Sequence, residues 1–394
     1  MTDGHRQLGH RECRTAKELD EIFESRLTPV TGLTVKGIQD AQELGRCCAY
    51  LEVAFARPKA ESSLALAALH FDACALGPGG VSDLAKALSC SPGAASPPAP
   101  ALAVPAWGEA DAGAESDDVE LGFDVFGEGF AGEAADVPAA SEDAASVEED
   151  DEMLCLASLA LVRCFVDISA SELFPLWQVL PHSLAELNLS GNGLGDHALG
   201  ALCGVLLRQR RCPSTLVLAG NNFKDIQRLC ALVEVGRLAS LDLAENALND
   251  KSAAQLDEAL ASPAAILQRL ALSRNRRLSS RGLAPLAARL AVPSGGTARG
   301  CLRDLRLDGT ALCDTGALAL AAALRAGAEA DELWVQQTRV TRAGVCELLA
   351  AAAAGSARAS RAALRLLADD GSERLSWRRC ADPADLLELT PVPC

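Results

Sequence analysis

Aromatic side chains are scarce in this chain. They make up 4% of its 394 residues, although 49% of all residues are hydrophobic. The core is therefore expected to consist of thin layers of leucine and alanine. A hydrophobic fraction of this size also excludes a chain that is disordered throughout.

Long apolar runs are missing as well. No stretch contains the roughly 20 consecutive apolar residues that a membrane-spanning helix needs. The polar start, residues 1–12, lacks the hydrophobic segment of a secretory signal. We therefore expect a cytoplasmic or nuclear protein that has no membrane partner.

Histidine, the usual general base, occurs only five times. No Ser-His-Asp or Cys-His arrangement and no phosphate-binding loop can be proposed from the spacing of the residues. His5, His10 and Cys13 lie near one another in sequence, but no fourth ligand stands at a zinc spacing. The sequence therefore predicts a protein that is not an enzyme and that holds no metal and no cofactor.

One leucine-rich phrase recurs along the chain. A clear copy reads Leu187-x-Leu189-x-x-Asn192-x-Leu194, followed by apolar residues spaced by four. Leucines with period two face one side of a strand, and apolar residues spaced by four form the inner side of a helix. The asparagine amide can bond backbone groups of the neighbouring coil. Full copies begin at Leu66, Leu156, Leu184, Leu238, Leu267 and Leu302, and shorter copies at Leu216 and Leu333.

A single copy cannot bury its own apolar side, whereas stacked copies cover one another. The sequence therefore predicts an α/β fold, a curved leucine-rich-repeat solenoid or horseshoe with parallel strands on the concave side and helices on the convex side. Residues 1–60 are predicted to form a helical amino-terminal cap, with a degenerate repeat as the alternative. The first clear repeat covers 61–90, and a disordered acidic insertion follows over 91–152. Further repeats cover 153–355, and a carboxy-terminal cap and tail cover 356–394.

The net charge of −17 resides in the insertion. Residues 91–152 contain 17 Asp or Glu and no Lys or Arg, so the remaining 36 acidic residues equal the 36 basic ones. A neutral remainder gives no reason to expect a nucleic-acid partner, which would need a basic surface. Within the insertion, Phe123, Phe126 and Phe130 stand among acidic residues. They are a candidate linear motif that folds onto a partner, and the alternative is a solvated spacer.

The 15 cysteines are an odd number, and two of them, Cys74 and Cys164, occupy the repeat position that Asn192 fills elsewhere. A secreted disulfide framework would pair its cysteines. The cysteines are therefore interpreted as reduced, structural thiols of an intracellular protein.

Side chains that alternate with the strand leucines would line the concave face and bind a partner. Trp334 is the main candidate, because Trp and Arg are enriched among residues that dominate binding energy. Two alternatives stay open: a tryptophan that only stacks on the neighbouring strand, and charged residues that only form a solvated face. The candidate partner-binding residues are Glu186, Asn188, Asp242, Glu245, Arg269, Arg274, Asp304, Arg306, Asp308, Trp334 and Gln336.

The spacing of 28 or 29 residues and the phrase with Asn or Cys resemble the ribonuclease-inhibitor class of leucine-rich repeats over residues 64–370, without the insertion. This resemblance implies a non-catalytic scaffold that binds a protein through its concave face, and we expect a monomer. Ran GTPase-activating proteins share the repeat type and an acidic segment, although theirs resembles a tail after the repeats. Residues 370–379 resemble the closing segment of tonsoku-like replication and repair scaffolds, whose ankyrin region is absent here.

Overall fold

The structure of the protein is a computed structural model that describes part of the chain. The described residues are 10–24, 30–56, 64–90, 156–209, 212–290, 302–326, 328, 330–355, 365–369, 374–378 and 390–391. Contacts between residues divide the chain into one unit that carries the repeats and a second unit, Pro98–Met153. The second unit, with Phe123, Phe126 and Phe130, lies outside the described residues.

Strands and helices alternate along the repeat unit. The strands are β1 His10–Cys13, β2 Val30–Lys36, β3 Leu64–Asp72, β4 Ser158–Val162, β5 Glu186–Asn188, β6 Thr215–Val217, β7 Ser240–Asp242, β8 Arg269–Ala271, β9 Asp304–Arg306, β10 Glu332–Val335, β11 Arg365–Asp369, β12 Arg374–Arg378 and β13 Thr390–Pro391. The helices are α1 Ala16–Glu24, α2 Ala41–Ala56, α3 Pro78–Ser89, α4 Ala170–Gln178, α5 Asp196–Arg208, α6 Gln227–Glu234, α7 Asp250–Leu260, α8 Ser280–Ala288, α9 Asp314–Arg325 and α10 Arg342–Gly355.

The thirteen strands within the described residues form one sheet in chain order. Strands β1 to β11 are parallel, and β12 and β13 then add in antiparallel fashion. Each of the ten connections between consecutive parallel strands contains a helix, as parallel strands require a crossover. The repeat unit is thus an α/β leucine-rich-repeat solenoid, which confirms the predicted fold class.

The register explains why the leucine phrase builds this sheet. It sets Leu187 beside Leu216, and Leu216 beside Leu241, so that equivalent leucines of successive repeats touch. These three side chains are at most 1% exposed, and they belong to one core that runs through the repeats. Burying a leucine side chain contributes about 1.5–3 kcal/mol, so each repeat is stabilised mainly by its neighbours.

Asparagines at the turn after each strand form a ladder behind the sheet. Asn221 is fully buried. Its Nδ2 donates to the carbonyl oxygens of Leu189 at 2.9 Å and Leu218 at 3.0 Å. Its Oδ1 accepts from the backbone N–H groups of Asn192 at 3.1 Å and Leu194 at 3.2 Å. One amide therefore satisfies backbone groups of two adjacent coils, as the sequence predicts.

Cysteine and threonine take this position in the flanking repeats and make fewer bonds. The Cys164 thiol donates to the carbonyl oxygens of Phe71 at 3.3 Å and Val162 at 3.2 Å. The Thr310 hydroxyl donates to Leu307 O at 2.7 Å. The eleven cysteines within the described residues are free. Burial raises the pKa of Cys47 to about 12 and that of Cys203 to about 12, which keeps these thiols protonated.

A second ladder links the starts of successive helices. The Asp250 carboxylate accepts from the backbone N–H of Ser279 at 2.7 Å and from its hydroxyl at 2.6 Å. Asp314 accepts from Thr341 in the same two ways, both at 2.7 Å. A Cβ on Gly282 would lie 2.5 Å from Asp250 Oδ1, so this contact needs glycine in the next helix.

Both ends of the unit contain strands. At the amino-terminal end they lie within residues 1–60, where a helical cap is expected. Strands β1 and β2 extend the sheet in parallel, and β2 sets Leu33 beside Leu69 in the register of a repeat. Helix α1 begins directly after Thr15, and the backbone N–H of Glu18 donates to the Thr15 hydroxyl at 3.1 Å. At the carboxy-terminal end, β11 continues the parallel sheet, and β12 and β13 follow it in antiparallel fashion.

Candidate functional site

The sheet face opposite the leucines carries most of the candidate residues, and we call it the outer sheet face. Seven candidates lie on strands: Glu186, Asn188, Asp242, Arg269, Asp304, Arg306 and Trp334. The parallel register arranges them in two rows across the sheet. One row is Glu186, Thr215, Ser240, Arg269, Asp304 and Glu332, and the other is Asn188, Val217, Asp242, Ala271, Arg306 and Trp334.

Glu245 and Arg274 are placed differently from the strand candidates. Each has a positive φ, +56° and +60°, at the position directly before the ladder asparagine. Glycine fills this position in other repeats, for example Gly220 and Gly309, because an L side chain disfavours the left-handed region. The Arg274 guanidinium binds the Glu245 carboxylate. The two residues therefore form an ion pair beside the strands.

Trp334 is held in a closed cluster of three side chains, which we call the Trp334 cluster. The guanidinium carbon of Arg306 lies 4.4 Å from the centroid of the Trp334 ring, a cation–π contact. Trp334 Nε1 donates to Glu332 Oε2 at 3.1 Å, and Arg306 Nη2 donates to the same oxygen at 3.2 Å. The parallel register of β9 and β10 creates this triangle by setting Arg306 beside Trp334.

Carboxylates dominate the outer sheet face around this cluster. Burial raises the pKa of Asp242, and the backbone N–H of Ala244 that donates to it opposes this rise. Burial, followed by the nearby Glu332, raises the pKa of Asp304. Asp308, just past β9, accepts from the backbone N–H of Gln336 at 2.7 Å. Asp242, Asp304 and Glu332 thus interact with the charge of Arg306, and the first two are partly withdrawn from water.

A cavity of about 560 Å³ lies elsewhere, between the turns that follow β4 and β5. Its lining is mixed, with Phe165, Ile168 and Leu194 next to Asp167 and His197. Within the described residues, no group of three or more His, Cys, Asp or Glu side chains could hold a metal ion. Among the helices that the structure describes, none combines the length and apolar character that crossing a bilayer requires.

Sequence reasoning did not single out one further group of side chains. Five exposed arginines lie at the edge where strands lead into helices: Arg276, Arg277, Arg281, Arg339 and Arg342. A signal for them exists in the sequence, because α8 and α10 carry arginine in the first turn where α5, α7 and α9 carry aspartate.

No protein-family model matches this chain. Among solved structures, the chain is similar to the leucine-rich repeat-containing protein LegL7 from Legionella pneumophila, with 16% identity and a TM-score of 0.38, over 92% of this chain and 91% of that one. It is also similar to an internalin from Listeria monocytogenes, with 12% identity and a TM-score of 0.34, over 81% of this chain. The match spans 65% of the internalin chain. The fold assignment rests on the sheet register and the repeated turns.

Proposed function

We propose that this protein is a non-catalytic scaffold that binds a protein partner through the outer sheet face. The Trp334 cluster is the observation that supports it. A tryptophan and an arginine, the residue types most enriched among binding hot spots, are already fixed against each other. A side chain that is ordered before binding loses less conformational entropy when the partner docks.

The surrounding carboxylates indicate what kind of partner surface fits. Asp242 and Asp304 are partly buried on a face that also carries Asp308 and Glu332. Holding a carboxylate in a partly dehydrated position is unfavourable for the charged form. A basic or hydrogen-bond-donating partner surface would relieve this cost while it covers the tryptophan ring. The proposed partner therefore presents lysine or arginine side chains around an apolar contact.

The test is affinity purification with mass spectrometry, using the full chain, a Trp334→Ala variant and a control. Leu318→Ala is a matched control, because Leu318 is 49% exposed on α9, on the helical side of the unit. We expect a partner that is retained by the wild type and the control and lost by Trp334→Ala. Equal retention by all three proteins would contradict the proposed site.

A deletion of residues 91–152 tests the second candidate, the linear motif with Phe123, Phe126 and Phe130. Loss of the partner in the deletion alone would assign binding to that motif and not to the outer sheet face. The monomeric state is checked by light scattering of the purified protein. No contact within the described residues favours the GTPase-activating or repair-scaffold alternatives, so both stay predictions.

A further inference from the structure

The five arginines that sequence reasoning missed form one surface, which we call the basic edge patch. Arg276 and Arg277 follow β8, and Arg281 lies in the first turn of α8. Arg339 follows β10, and Arg342 begins α10. The two groups lie two repeats apart, which corresponds to about 10 Å across the strands and up to about 20 Å across the helices.

The guanidinium groups of this patch have no ion pair among the described residues, unlike other arginines of the same repeats. Arg289 pairs with Asp257 at 2.7 Å, and Arg306 pairs with Glu332 at 3.2 Å. Arg325 pairs with Glu347. The chain thus supplies carboxylates to Arg289, Arg306 and Arg325 and leaves the basic edge patch without them.

The nearest acidic residues on this edge are committed to the second ladder. Both oxygens of Asp250 accept hydrogen bonds from Ser279, and both oxygens of Asp314 accept from Thr341. These bonds fix the carboxylates against the backbone between the helices. The two aspartates therefore contribute charge to the surroundings but do not engage the guanidinium groups.

The position of the patch also works against folding. A helix start carries partial positive charge, and an acidic residue there is favourable while a basic one is not. Arg281 and Arg342 occupy this place in α8 and α10. Five like charges close to one another also add mutual repulsion. The patch therefore lowers stability in two ways, through the helix starts and through repulsion. Such an arrangement is expected where a ligand supplies negative charge.

We propose that the basic edge patch binds an acidic, carboxylate-rich segment of a protein partner. Guanidinium groups bind carboxylates in a bidentate manner, and an extended segment of about six residues spans the distance between the two arginine groups. This surface is separate from the outer sheet face, and the inference does not depend on the function proposed for Trp334.

The charge of the rest of this edge favours an acidic peptide over a nucleic acid. In earlier repeats the corresponding edge carries Asp167, Asp196 and Asp225 beside Lys224 and Lys251. A long polyanion that followed the edge would meet these carboxylates after a short distance. A short acidic segment can bind the arginines and end before the aspartates.

The experiment measures the fluorescence anisotropy of a labelled oligoglutamate peptide of about eight residues. The proteins are the full chain, Arg276→Glu/Arg277→Glu, and Lys224→Glu/Lys251→Glu as the control. The control makes the same change in net charge at exposed positions on the same edge in earlier repeats. A milder variant, Arg339→Gln/Arg342→Gln, tests the second arginine group, and circular dichroism checks that each variant is folded.

We expect the peptide to bind the full chain, with affinity that falls as salt rises from about 50 to about 300 mM. The Arg276→Glu/Arg277→Glu variant should bind about tenfold more weakly or worse, and the Arg339→Gln/Arg342→Gln variant several-fold more weakly. The control and Trp334→Ala should stay within about twofold of the full chain. An oligoglutamine peptide of the same length should not bind.

Three results would overturn the proposal. Equal binding by the arginine variants would show that the patch is not the site. Equal weakening of peptide binding in the lysine control would show that binding depends on the net charge of the protein and not on the patch. Tighter, arginine-dependent binding of an oligothymidylate of matched charge would assign the patch to a nucleic acid.

Discussion

The interior turns and the exposed surfaces of this solenoid follow opposite rules. Behind the sheet, Asn221 is fully buried, and both ends of its amide make hydrogen bonds to the backbone. On the surfaces, Asp242 has a raised pKa, and the five arginines of the basic edge patch have no ion pair among the described residues. The ladder amides hold adjacent repeats together through their hydrogen bonds, whereas the arginines of the patch make no comparable contact among the described residues.

Removing a ladder asparagine should have the largest effect on stability, because it removes the hydrogen bonds that distinguish the interior turns from the surfaces. Asn221→Ala would leave the buried backbone N–H groups of Asn192 and Leu194 without their acceptor. The carbonyl oxygens of Leu189 and Leu218 would lose one donor each and keep the amides of the neighbouring ladder asparagines. Each unsatisfied buried group costs about 1–3 kcal/mol, so we expect a loss of about 3 kcal/mol or more in the free energy of unfolding. Urea unfolding followed by circular dichroism measures it. A loss below about 1 kcal/mol would mean that water replaces the amide.

Crowding the second ladder should have the next largest effect. In Gly282→Ala the new Cβ would lie 2.8 Å from Asp250 Cα, a backbone atom that cannot easily move. We expect destabilisation of about 1–3 kcal/mol, as is typical of an overpacked contact. Gly204→Ala in α5 is the matched control, because the nearest atom to its Cβ is Arg208 Nη2 at 3.9 Å. The control should be neutral or slightly stabilising.

A threonine at the ladder position should matter less than an asparagine. Thr310→Val keeps the shape of the side chain and removes one hydrogen bond, to Leu307 O at 2.7 Å. We expect a loss of about 1 kcal/mol in the free energy of unfolding. The measurement is the same urea titration as for Asn221→Ala. Equal losses for the two variants would contradict the ranking of asparagine above threonine.

On the outer sheet face, removing a charge should raise the free energy of unfolding, whereas Asn221→Ala should lower it. Burial raises the folded-state pKa of Asp242, so the folded protein favours the protonated form more than the unfolded chain does. The resulting cost is absent well below the unfolded-state pKa of about 3.9 and grows as the pH rises through it. Asp242→Asn should therefore stabilise the protein at pH 7, by less than about 1 kcal/mol, and the gain should fade on acidification. A destabilised variant at pH 7 would indicate that the carboxylate supports the fold.

Local periodicity made the middle of the fold predictable. The Leu187-x-Leu189 alternation and the Asn192 turn specify a strand and its exit, and the structure places them as expected. The repeat in β2 was harder to identify, because Ile38 stands where other repeats carry Asn or Cys. The strand β1 gives no leucine signal at all. These end strands form because an adjacent repeat offers unpaired backbone groups.

The candidate site was predictable only in part. Alternation along the strands identified Asp304, Arg306 and Trp334 as residues of one face. It also assigned Glu245 and Arg274 to that face, whereas their positive φ angles turn them aside at the strand exit. Alternation fails there because it holds only while the backbone stays extended.

The sequence by itself determined the repeat, the buried leucines and the ladder asparagines, because each depends on residues close together in the chain. The tertiary structure alone decided which side chains of different repeats meet. Arg306 reaches Trp334 because parallel strands set them in register. The basic edge patch exists because stacking places its five arginines on one edge, while Asp250 and Asp314 bind Ser279 and Thr341 at the start of the next helix. Such pairings depend on the stacking of whole repeats, which no single phrase of the sequence encodes.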